Sequence, residues 1–458
     1  METGDSPICL TALFPAFPHC TMTLFELYRY TCWPQVIESA ALFVLCLLCK
    51  NRRAGVPAVR INSFEIRRTT VMAKEPLENL SLDTLMVHGG HGADPHTRAL
   101  AMPIYQTATY GFDTVDDMNS SWDRTGLVYS REGSPTVYAL EKKLALLEGG
   151  EAALCTASGM GAICSVLLSV LKQGDHLVCS QEVFSHTGVF VREFLRDKMG
   201  VEVSFADFRN PEDVAQKLQS NTTVLYTETP SNPSLGLVDV RAVSRIAREH
   251  GCLLIVDGTF APPPIQRVLD LGADIVVHSL TKYINGHGDA LGGAIVGPRD
   301  IIETIHFPGM PCFTGACLSP FNAWLIMRGM MTLDMRIRKH CENALAVAQF
   351  LEDHPLVAQV HYPALPSHPQ HALCQSQMHG MGGGIVSFWL KQGIGGMELE
   401  EADKKLMDAL KLMTIATSLG EGCTLIQKEH SGMIRIAVGL ENKEDLLRDL
   451  SQALEKLA

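Results

Sequence analysis

The chain has 458 residues, which is enough for two or three domains with complete hydrophobic cores. Hydrophobic residues make up 46% of the sequence and charged residues 19%, as in an ordinary globular protein. The net charge of −12 argues against a nucleic-acid partner and against binding to an anionic membrane surface. The 14 cysteines are scattered, and several of them, such as Cys155 and Cys179, lie in apolar runs. This pattern indicates a reducing compartment, which we take to be the cytoplasm.

Residues 1–72 differ from the rest of the chain. The uncharged run from Ser39 to Cys49 has 11 residues, too few for a membrane-spanning helix, which needs about 20. The C-x-x-C pair within it has no second pair to complete a zinc site. The basic residues that follow are typical of a targeting peptide. The alternative, which we favour, is a mis-assigned start codon, with Met72 beginning the protein and residues 1–72 a disordered or spurious extension.

Residues 73–135 are expected to form an N-terminal arm, and regular elements alternate from about residue 140 onward. VYALEKKLALLEG predicts a helix that ends at Gly149, and GAICSVLLSVLK predicts a buried helix. An amphipathic helix, VRAVSRIAREHG, is expected to end at Gly251. Short β-rich runs surround it: DHLVCS, VSFAD, TVLYTETP, CLLIVDG and DIVVHS. This alternation predicts an α/β domain over residues 136–319, with a mostly parallel sheet and helices on both faces.

The pattern changes after residue 320. A single long helix is expected over Pro320–His354, followed by two strand-like runs, GGGIVSFWL and MIRIAVGLE. The chain then closes with a helix in KEDLLRDLSQALEKL. Residues 320–458 are therefore expected to form a smaller α+β domain.

A lysine stands in an unusual context in VVHSLTKYINGHGDALGG. An apolar strand runs into Ser279, Thr281 and Lys282, and glycines follow. Burial disfavours an ammonium group. Lys282 is therefore either an exposed lysine in a loop or an amine that takes part in chemistry. In parallel sheets ligands bind beyond the carboxyl ends of the strands, and Asp257 also ends a predicted strand. This placement favours the chemical interpretation.

A phosphate-binding turn is indicated by TASGMGA, which opens a predicted helix that begins near Gly161. Glycines let the backbone approach a ligand, and the free N–H groups of the helix start favour an anion. Ser279 and Thr281 can donate to the same phosphate. Asp257 can hold a proton on a pyridine ring nitrogen. The alternatives are a tight helix start and an aspartate that caps a turn.

The motif SLTKYINGHGD resembles the cofactor lysine motif of the transsulfuration family of pyridoxal-phosphate-dependent enzymes of cysteine and methionine metabolism. The resemblance extends from about Leu80 to the C-terminus through YSREGSPT, SGMGA, ETPSNP, VDGTF, LSPFNAW and TSLG. It implies the type I pyridoxal-phosphate-enzyme fold and pyridoxal 5'-phosphate as cofactor. GHGD and LMTIATSLG look most similar to the methionine γ-lyase branch.

The resemblance also implies a role for each matching residue. Lys282 would form the Schiff base with the cofactor and move protons, with Tyr129 available for proton transfer. Arg435 would bind the substrate α-carboxylate with the help of Ser418. The remaining cofactor-binding positions would be Asp257, Gly159, Met160, Ser279, Thr281, Phe184, Asn232, Tyr129 and Arg131. Because Tyr129 and Arg131 would reach the phosphate of a neighbouring subunit, the resemblance implies active sites at a dimer interface and a homotetramer.

Several positions depart from the family pattern. Phe184 stands where the family usually has a tyrosine stacked on the cofactor, and His186 where methionine γ-lyases have a cysteine. Pro311 and Cys312 replace a lysine–aspartate pair of the substrate pocket. Only 16 residues separate Ser418 from Arg435, where the family has a longer connection that covers the substrate.

Three functions remain open on the sequence. The first is γ-elimination from L-methionine or a related amino acid. The second is γ-replacement on an activated homoserine, towards which LSPFNAW points. The third is a cofactor-binding homologue with impaired activity, as the short connection would produce. An aminotransferase-like enzyme fits the order of the motifs less well. No metal site is expected.

Overall fold

The computed structural model describes residues 80–94, 97–124, 127–429 and 432–457. Residues 74–458 form one compact unit, which holds all the elements below. The predictions for residues 1–72, including the early start codon and the C-x-x-C pair, lie outside the described residues. The division into an arm over 73–135 and domains over 136–319 and 320–458 stays a prediction.

A seven-stranded sheet forms the centre of this unit. Its strands are β1 (Ala152–Thr156), β2 (His176–Ser180), β3 (Glu202–Ala206), β4 (Thr222–Glu228), β5 (Leu253–Asp257), β6 (Ile275–Ser279) and β7 (Gly293–Gly297). They lie in the order β1-β7-β6-β5-β4-β2-β3. Neighbours from β2 to β6 pair in parallel, whereas β7 is antiparallel to β1 and β6. The mostly parallel sheet is confirmed, with two strands, β1 and β7, that the sequence patterns missed.

Thirteen α-helices lie within the described residues. They are α1 (Leu82–His88), α2 (Val115–Arg124), α3 (Pro135–Glu148), α4 (Gly159–Val170), α5 (Ser185–Val189), α6 (Pro211–Lys217), α7 (Val240–His250), α8 (Arg299–Thr304), α9 (Pro320–Met330), α10 (Leu333–Glu352), α11 (His371–Gln377), α12 (Leu399–Ala409) and α13 (Lys443–Glu455). Two π-helical segments, Phe190–Arg196 and Ile305–Thr314, and a short 3-10 turn, Ile394–Gly396, complete them. Helices α3 and α7 end at Gly149 and Gly251 in the left-handed conformation, as predicted.

Both faces of the sheet are covered. Along β5, Leu254 and Val256 pack into one hydrophobic core, and Ile255 between them packs into another. Successive side chains of a strand point to opposite faces, so an apolar run such as LLIV must be buried on both sides. The prediction of helices on both faces is confirmed.

The single long helix predicted over Pro320–His354 is wrong. The chain forms α9 and α10, separated by a turn at Met331 and Thr332. Buried Arg336 satisfies groups that the break exposes. Its Nη2 donates to the carbonyl of Gly329 at 2.8 Å, and its Nε donates to the hydroxyl of Thr332 at 3.1 Å. A third bond, from Nη1 to the Tyr283 carbonyl at 2.6 Å, ties the break to the turn that carries Lys282.

A second, five-stranded sheet lies towards the C-terminus. It contains β8 (Val357–His361), β9 (Ile385–Leu390), β10 (Thr414–Ile415), β11 (Leu425–Lys428) and β12 (Ile434–Ala437), in the order β10-β11-β12-β9-β8. A separate apolar core joins this sheet to α10, α12 and α13. This agrees with the predicted α+β character of the C-terminal part. Among the described residues, no helix is both long and apolar enough to span a bilayer, and no cluster of acidic, histidine or cysteine side chains is suited to a metal.

Candidate active site

The carboxyl ends of two neighbouring parallel strands carry the first site residues. Asp257 is the last residue of β5, and Ser279 is the last residue of β6. The backbone N–H of Ser279 donates to the hydroxyl of Thr259 at 2.8 Å. Thr259 also donates its backbone N–H to the Asp257 carboxylate at 2.9 Å. The strand ends therefore meet as the sequence predicted, at the edge where parallel sheets bind ligands.

The start of α4 lies against the same edge. A Cβ added to Gly159 would lie 2.9 Å from the Cβ of Ser279, so only glycine allows this approach. The hydroxyl of Ser158 caps the helix by accepting the N–H of Gly161 at 3.0 Å. Next to it, Met160 contacts the hydroxyl of Thr187 through its sulfur at 3.9 Å. The structure thus brings Gly159 next to Ser279, with Met160 following in the first turn of α4.

Asp257 is partly buried and lies beside a second carboxylate. Burial is the main cause that raises its pKa, and its hydrogen bonds with Thr259 oppose this shift. Glu228, its direct partner on β4, also has a raised pKa because of burial and of the charge on Asp257. Glu228 accepts the backbone N–H of Phe184 at 2.6 Å, which fixes the start of α5. No lysine or arginine pairs with Asp257 among the described residues.

Lys282 lies in the turn after β6 and is partly buried. Its Nζ donates to the hydroxyl of Ser418 at 2.7 Å. Burial lowers the pKa of Lys282, the charge of Arg435 lowers it further, and Glu421 opposes both. A lowered pKa increases the neutral fraction of the amine, which is the nucleophilic form. The interpretation of Lys282 as an exposed loop lysine is therefore wrong.

The loop that contains Ser418, the hydrogen-bond partner of Lys282, has a strained backbone. Ser418 has a φ of 91°, a conformation that residues with a Cβ rarely adopt. Two positions later, Gly420 has a φ of 81°, and a Cβ there would lie 2.5 Å from the backbone N of Tyr283. The loop is thus pressed against the Lys282 turn, which places the Ser418 hydroxyl at the amine.

Arg435 extends the site to the second sheet. It lies on β12 and is 5% exposed. Its Nη1 donates to Oδ1 of Asn232 at 3.0 Å, and its Nη2 donates to the carbonyl of Ser418 at 3.2 Å. A continuous chain of contacts therefore runs from Lys282 through Ser418 and Arg435 to Asn232. Burial lowers the pKa of Arg435, and the nearby carboxylate of Glu429 opposes the shift.

Other predicted residues are placed differently. Tyr129 is 42% exposed, and the Arg131 guanidinium lies 5.0 Å from the centre of its ring. No hydrogen bond or ion pair within the described residues joins this pair to Lys282 or Ser279. Their role towards a neighbouring subunit stays a prediction. The hydroxyl of Thr281 instead accepts the N–H of Gly292 at 3.1 Å and so stabilises its own turn.

The four positions that depart from the family pattern differ in their exposure. The rings of Phe184 and His186 meet edge to face with centroids 4.9 Å apart, and His186 is exposed. Pro311 is buried and Cys312 is exposed within the π-helical segment Ile305–Thr314.

Sequence reasoning missed three carboxylates of the site: Glu228, Glu421 and Glu429. Glu228 ends a predicted strand in the same way as Asp257, so its position alone was a usable signal. Glu429 forms an ion pair with Arg435, with 3.2 Å between Oε1 and Nη1. Its signal was weaker, because its placement depends on how β11 and β12 pair.

Comparison with known proteins identifies the family of the chain. A family model described as "Cys/Met metabolism PLP-dependent enzyme" matches residues 83–455. An L-methionine gamma-lyase of Treponema denticola is 42% identical over 408 residues, which covers 84% of this chain and all of that protein. An L-methionine gamma-lyase of Porphyromonas gingivalis is 43% identical over 407 residues, with the same coverage.

The fold has solved relatives as well. The crystal structure of metB from Corynebacterium glutamicum superposes with a TM-score of 0.78 at 34% identity, covering 84% of this chain and all of that one. The two sheets and the helices on both faces of the first fit the type I fold that the sequence implied. The chain therefore belongs to the Cys/Met metabolism family of PLP-dependent enzymes.

Proposed function

We propose that this chain is a carbon–sulfur lyase that eliminates the γ-substituent of L-methionine or a related sulfur amino acid. The relatives named L-methionine gamma-lyase support this choice of substrate. The observation that carries the proposal is the partly buried amine of Lys282, held by Ser418 at a strand end beside Arg435.

The site fits pyridoxal 5'-phosphate, the cofactor of the family. The close approach of Gly159 to Ser279 forms a cradle at the start of a 12-residue helix, which suits a phosphate group. The Ser279 hydroxyl has no hydrogen-bond partner among the described residues and is free to donate. No lysine or arginine pairs with Asp257 there, and its carboxylate suits a protonated ring nitrogen. Phe184 supplies a flat aromatic ring. Met160 follows Gly159 in the helix start, and Thr281 follows Ser279 in the turn after β6.

When bound, pyridoxal phosphate supplies an electron sink for charge that develops on the substrate. Each of four residues of the chain then has a separate role. Lys282 holds the cofactor and, once released, moves a proton between Cα and Cβ of the substrate. Ser418 orients its amine. Arg435 binds the substrate α-carboxylate, and Asn232 fixes the guanidinium. The γ-thiolate would leave Cγ and take up a proton to become methanethiol. Water would then hydrolyse the unsaturated amino acid that remains to 2-oxobutyrate and ammonia.

A second copy of the chain would complete the site. Tyr129 and Arg131 are exposed, and no hydrogen bond or ion pair joins them to Lys282 within the described residues, which supports their role at the phosphate of a neighbouring subunit. We propose a homotetramer with active sites at the dimer interfaces. We also propose a cytoplasmic location, because the cysteines of the described residues are all free, as in a reducing compartment.

γ-Replacement on an activated homoserine is the second candidate. It is favoured by the LSPFNAW motif at the start of α9. Pro311 and Cys312, which depart from the pattern of methionine γ-lyases, weaken the case for elimination. It uses the same cofactor residues, so only the products distinguish it from elimination. A cofactor-binding homologue with impaired activity is the third candidate, favoured by the short connection before Arg435.

The test supplies the purified protein, loaded with cofactor, with two sets of substrates. L-Methionine should give 2-oxobutyrate, methanethiol and ammonia. O-Acetylhomoserine with sulfide should give little homocysteine. Homocysteine formation with inert L-methionine would instead establish replacement, and a loaded protein inert to both would support impaired activity.

The assignment of Lys282 is tested separately from turnover. Borohydride reduction of the loaded protein should fix the cofactor to the peptide that carries Lys282, as peptide mass spectrometry would show. Lys282→Ala should lose both this adduct and the visible absorption band of the attached cofactor. Lys172→Ala, which removes an exposed lysine, is the control. A reducible adduct in Lys282→Ala would mean that another lysine holds the cofactor.

A further inference from the structure

The short connection before Arg435 folds into a hairpin. Strands β11 and β12 pair antiparallel, with Gln427 opposite Arg435 and Lys428 opposite Ile434. The turn is closed by the N–H of Glu429, which donates to the carbonyl of Met433 at 2.8 Å. Side chains two positions apart on a strand point to the same face. Glu429 therefore lies diagonally across from Arg435, within reach of its side chain.

The carboxylate of Glu429 is fixed on the guanidinium. Its Oε1 lies 3.2 Å from Nη1 of Arg435, and the side chains are only 19% and 6% exposed. The amide of Gln427 donates to the same Oε1 at 2.5 Å. An ion pair so shielded from water is screened much less than one at the surface.

Glu429 is the one carboxylate that contacts Arg435 within the described residues. The other partners of the guanidinium are the neutral oxygens of Asn232 and Ser418. Its Nε has no partner there and is buried. The charge of Arg435 is therefore already offset by Glu429 before an amino-acid substrate binds. One terminal nitrogen, Nη1, is shared between Asn232 and Glu429.

We propose that Glu429 sets substrate affinity and specificity by competing with the substrate α-carboxylate for Arg435. This inference rests on the carboxylate-binding role proposed for Arg435 above. A substrate carboxylate must displace Glu429 or bind beside a second negative charge, and both weaken its binding. Glu429 thus reduces the preference of the site for a free carboxylate over a neutral group, such as a carboxamide, at the same position.

The test compares Glu429→Gln with Glu400→Gln in the cofactor-loaded protein. The glutamine retains the size and the acceptor oxygen of the side chain but removes the charge. Glu400 lies exposed near the start of α12, next to the leucine that faces Gly432 of the hairpin turn, so its variant removes one charge nearby without touching Arg435. The ligand is L-norleucine, which lacks the sulfur leaving group, and its affinity is measured by isothermal titration calorimetry.

Glu429→Gln should bind L-norleucine roughly tenfold more tightly than the wild type, the size expected for removal of one competing charged hydrogen bond. Norleucinamide, which has no carboxylate, should bind both proteins equally, and Glu400→Gln should behave as wild type. In turnover of L-methionine, the KM should fall for Glu429→Gln and stay at the wild-type value for Glu400→Gln. If Glu429→Gln does not fold, Glu429→Ala should show the same gain in affinity.

Affinity for L-norleucine that stays equal or falls in Glu429→Gln would overturn the proposal and make Glu429 a residue that positions Arg435. An equal gain for norleucine and norleucinamide would also overturn it, since the effect would then not concern the carboxylate. Failure of the proposed lyase function has a different signature. No variant would turn over L-methionine, while the comparison of affinities would still decide the role of Glu429.

Discussion

Ser418 allows the strain and the chemistry of the site to be separated by two substitutions. It combines a φ of 91° with a hydroxyl that accepts a hydrogen bond from the Lys282 amine at 2.7 Å. Ser418→Ala removes the hydroxyl and keeps the strained backbone. Ser418→Gly removes the hydroxyl and also the Cβ that makes this φ unfavourable. The difference in stability between the two variants therefore reports the backbone strain, reduced by the greater flexibility of glycine in the unfolded chain.

The magnitudes follow from these contacts. A left-handed conformation costs a residue with a Cβ about 1–2 kcal/mol. Glycine avoids this cost, but it destabilises the folded chain by roughly 0.5–1 kcal/mol because it is more flexible in the unfolded chain. Ser418→Gly should therefore be about 1 kcal/mol more stable than Ser418→Ala. Both variants leave the Lys282 amine without its partner, and we expect kcat to fall about tenfold in each, as for the loss of one hydrogen bond.

The assay is urea denaturation of the cofactor-free protein, together with steady-state turnover of L-methionine. His379 gives a matched control, because it is exposed, has a φ of 55° and lies outside the active site. His379→Gly should also be more stable than His379→Ala, without any change in kcat.

Equal stability of Ser418→Ala and Ser418→Gly would refute the argument from strain. Full activity in both variants would show that the hydrogen bond to Ser418 does not help Lys282. A drop in kcat for Ser418→Gly alone would point to loop flexibility rather than to the hydroxyl.

Three further predictions concern charge, the core and the N-terminus. Arg435 lowers and Glu421 raises the pKa of Lys282, so the pH dependence of cofactor attachment, followed by visible absorption, should move to higher pH in Arg435→Gln and to lower pH in Glu421→Gln. A shift in the same direction for both would contradict this assignment. Glu148→Ala removes the 2.6 Å hydrogen bond between the buried Glu148 and His278 and should cost about 1–3 kcal/mol in urea denaturation, because the buried His278 ring loses its partner, with Arg448→Ala in an exposed pair as the near-neutral control. A shortened chain that starts at Met72 should fold and keep full activity; an insoluble or inactive product would show that residues 1–71 are needed.

The inner strands were predictable because burial on both faces leaves a continuous apolar run in the sequence, as in LLIVD before Gly258. Strand β7 was missed because its sequence, GAIVG, begins and ends with glycine, a residue that strands disfavour. The break between α9 and α10 was missed for another reason. It depends on Arg336 reaching the Lys282 turn, a tertiary contact that helical periodicity does not reveal.

The site residues also divide into those that the local sequence predicts and those that depend on tertiary contacts. Asp257, Ser279 and Lys282 could be placed together because strand ends in a parallel sheet share an edge. Arg435 and Ser418 came from a family resemblance, since nothing in their local sequence says that the second sheet meets the first. The contact between Glu429 and Arg435 depends on the register of one hairpin, which a shift of one residue would abolish.

The chain of contacts from Asn232 to Lys282 also connects binding with reactivity. Arg435 is expected to bind the substrate carboxylate, and its positive charge lowers the pKa of the Lys282 amine. Any anion that neutralises Arg435 must weaken this effect and make Lys282 easier to protonate. The substrate carboxylate would do so on binding, when the released lysine has to carry a proton. Glu429 would already neutralise part of the Arg435 charge before the substrate binds. It therefore also reduces the difference between the pKa of Lys282 in the free site and its pKa in the occupied site. Removal of its charge should therefore increase that difference.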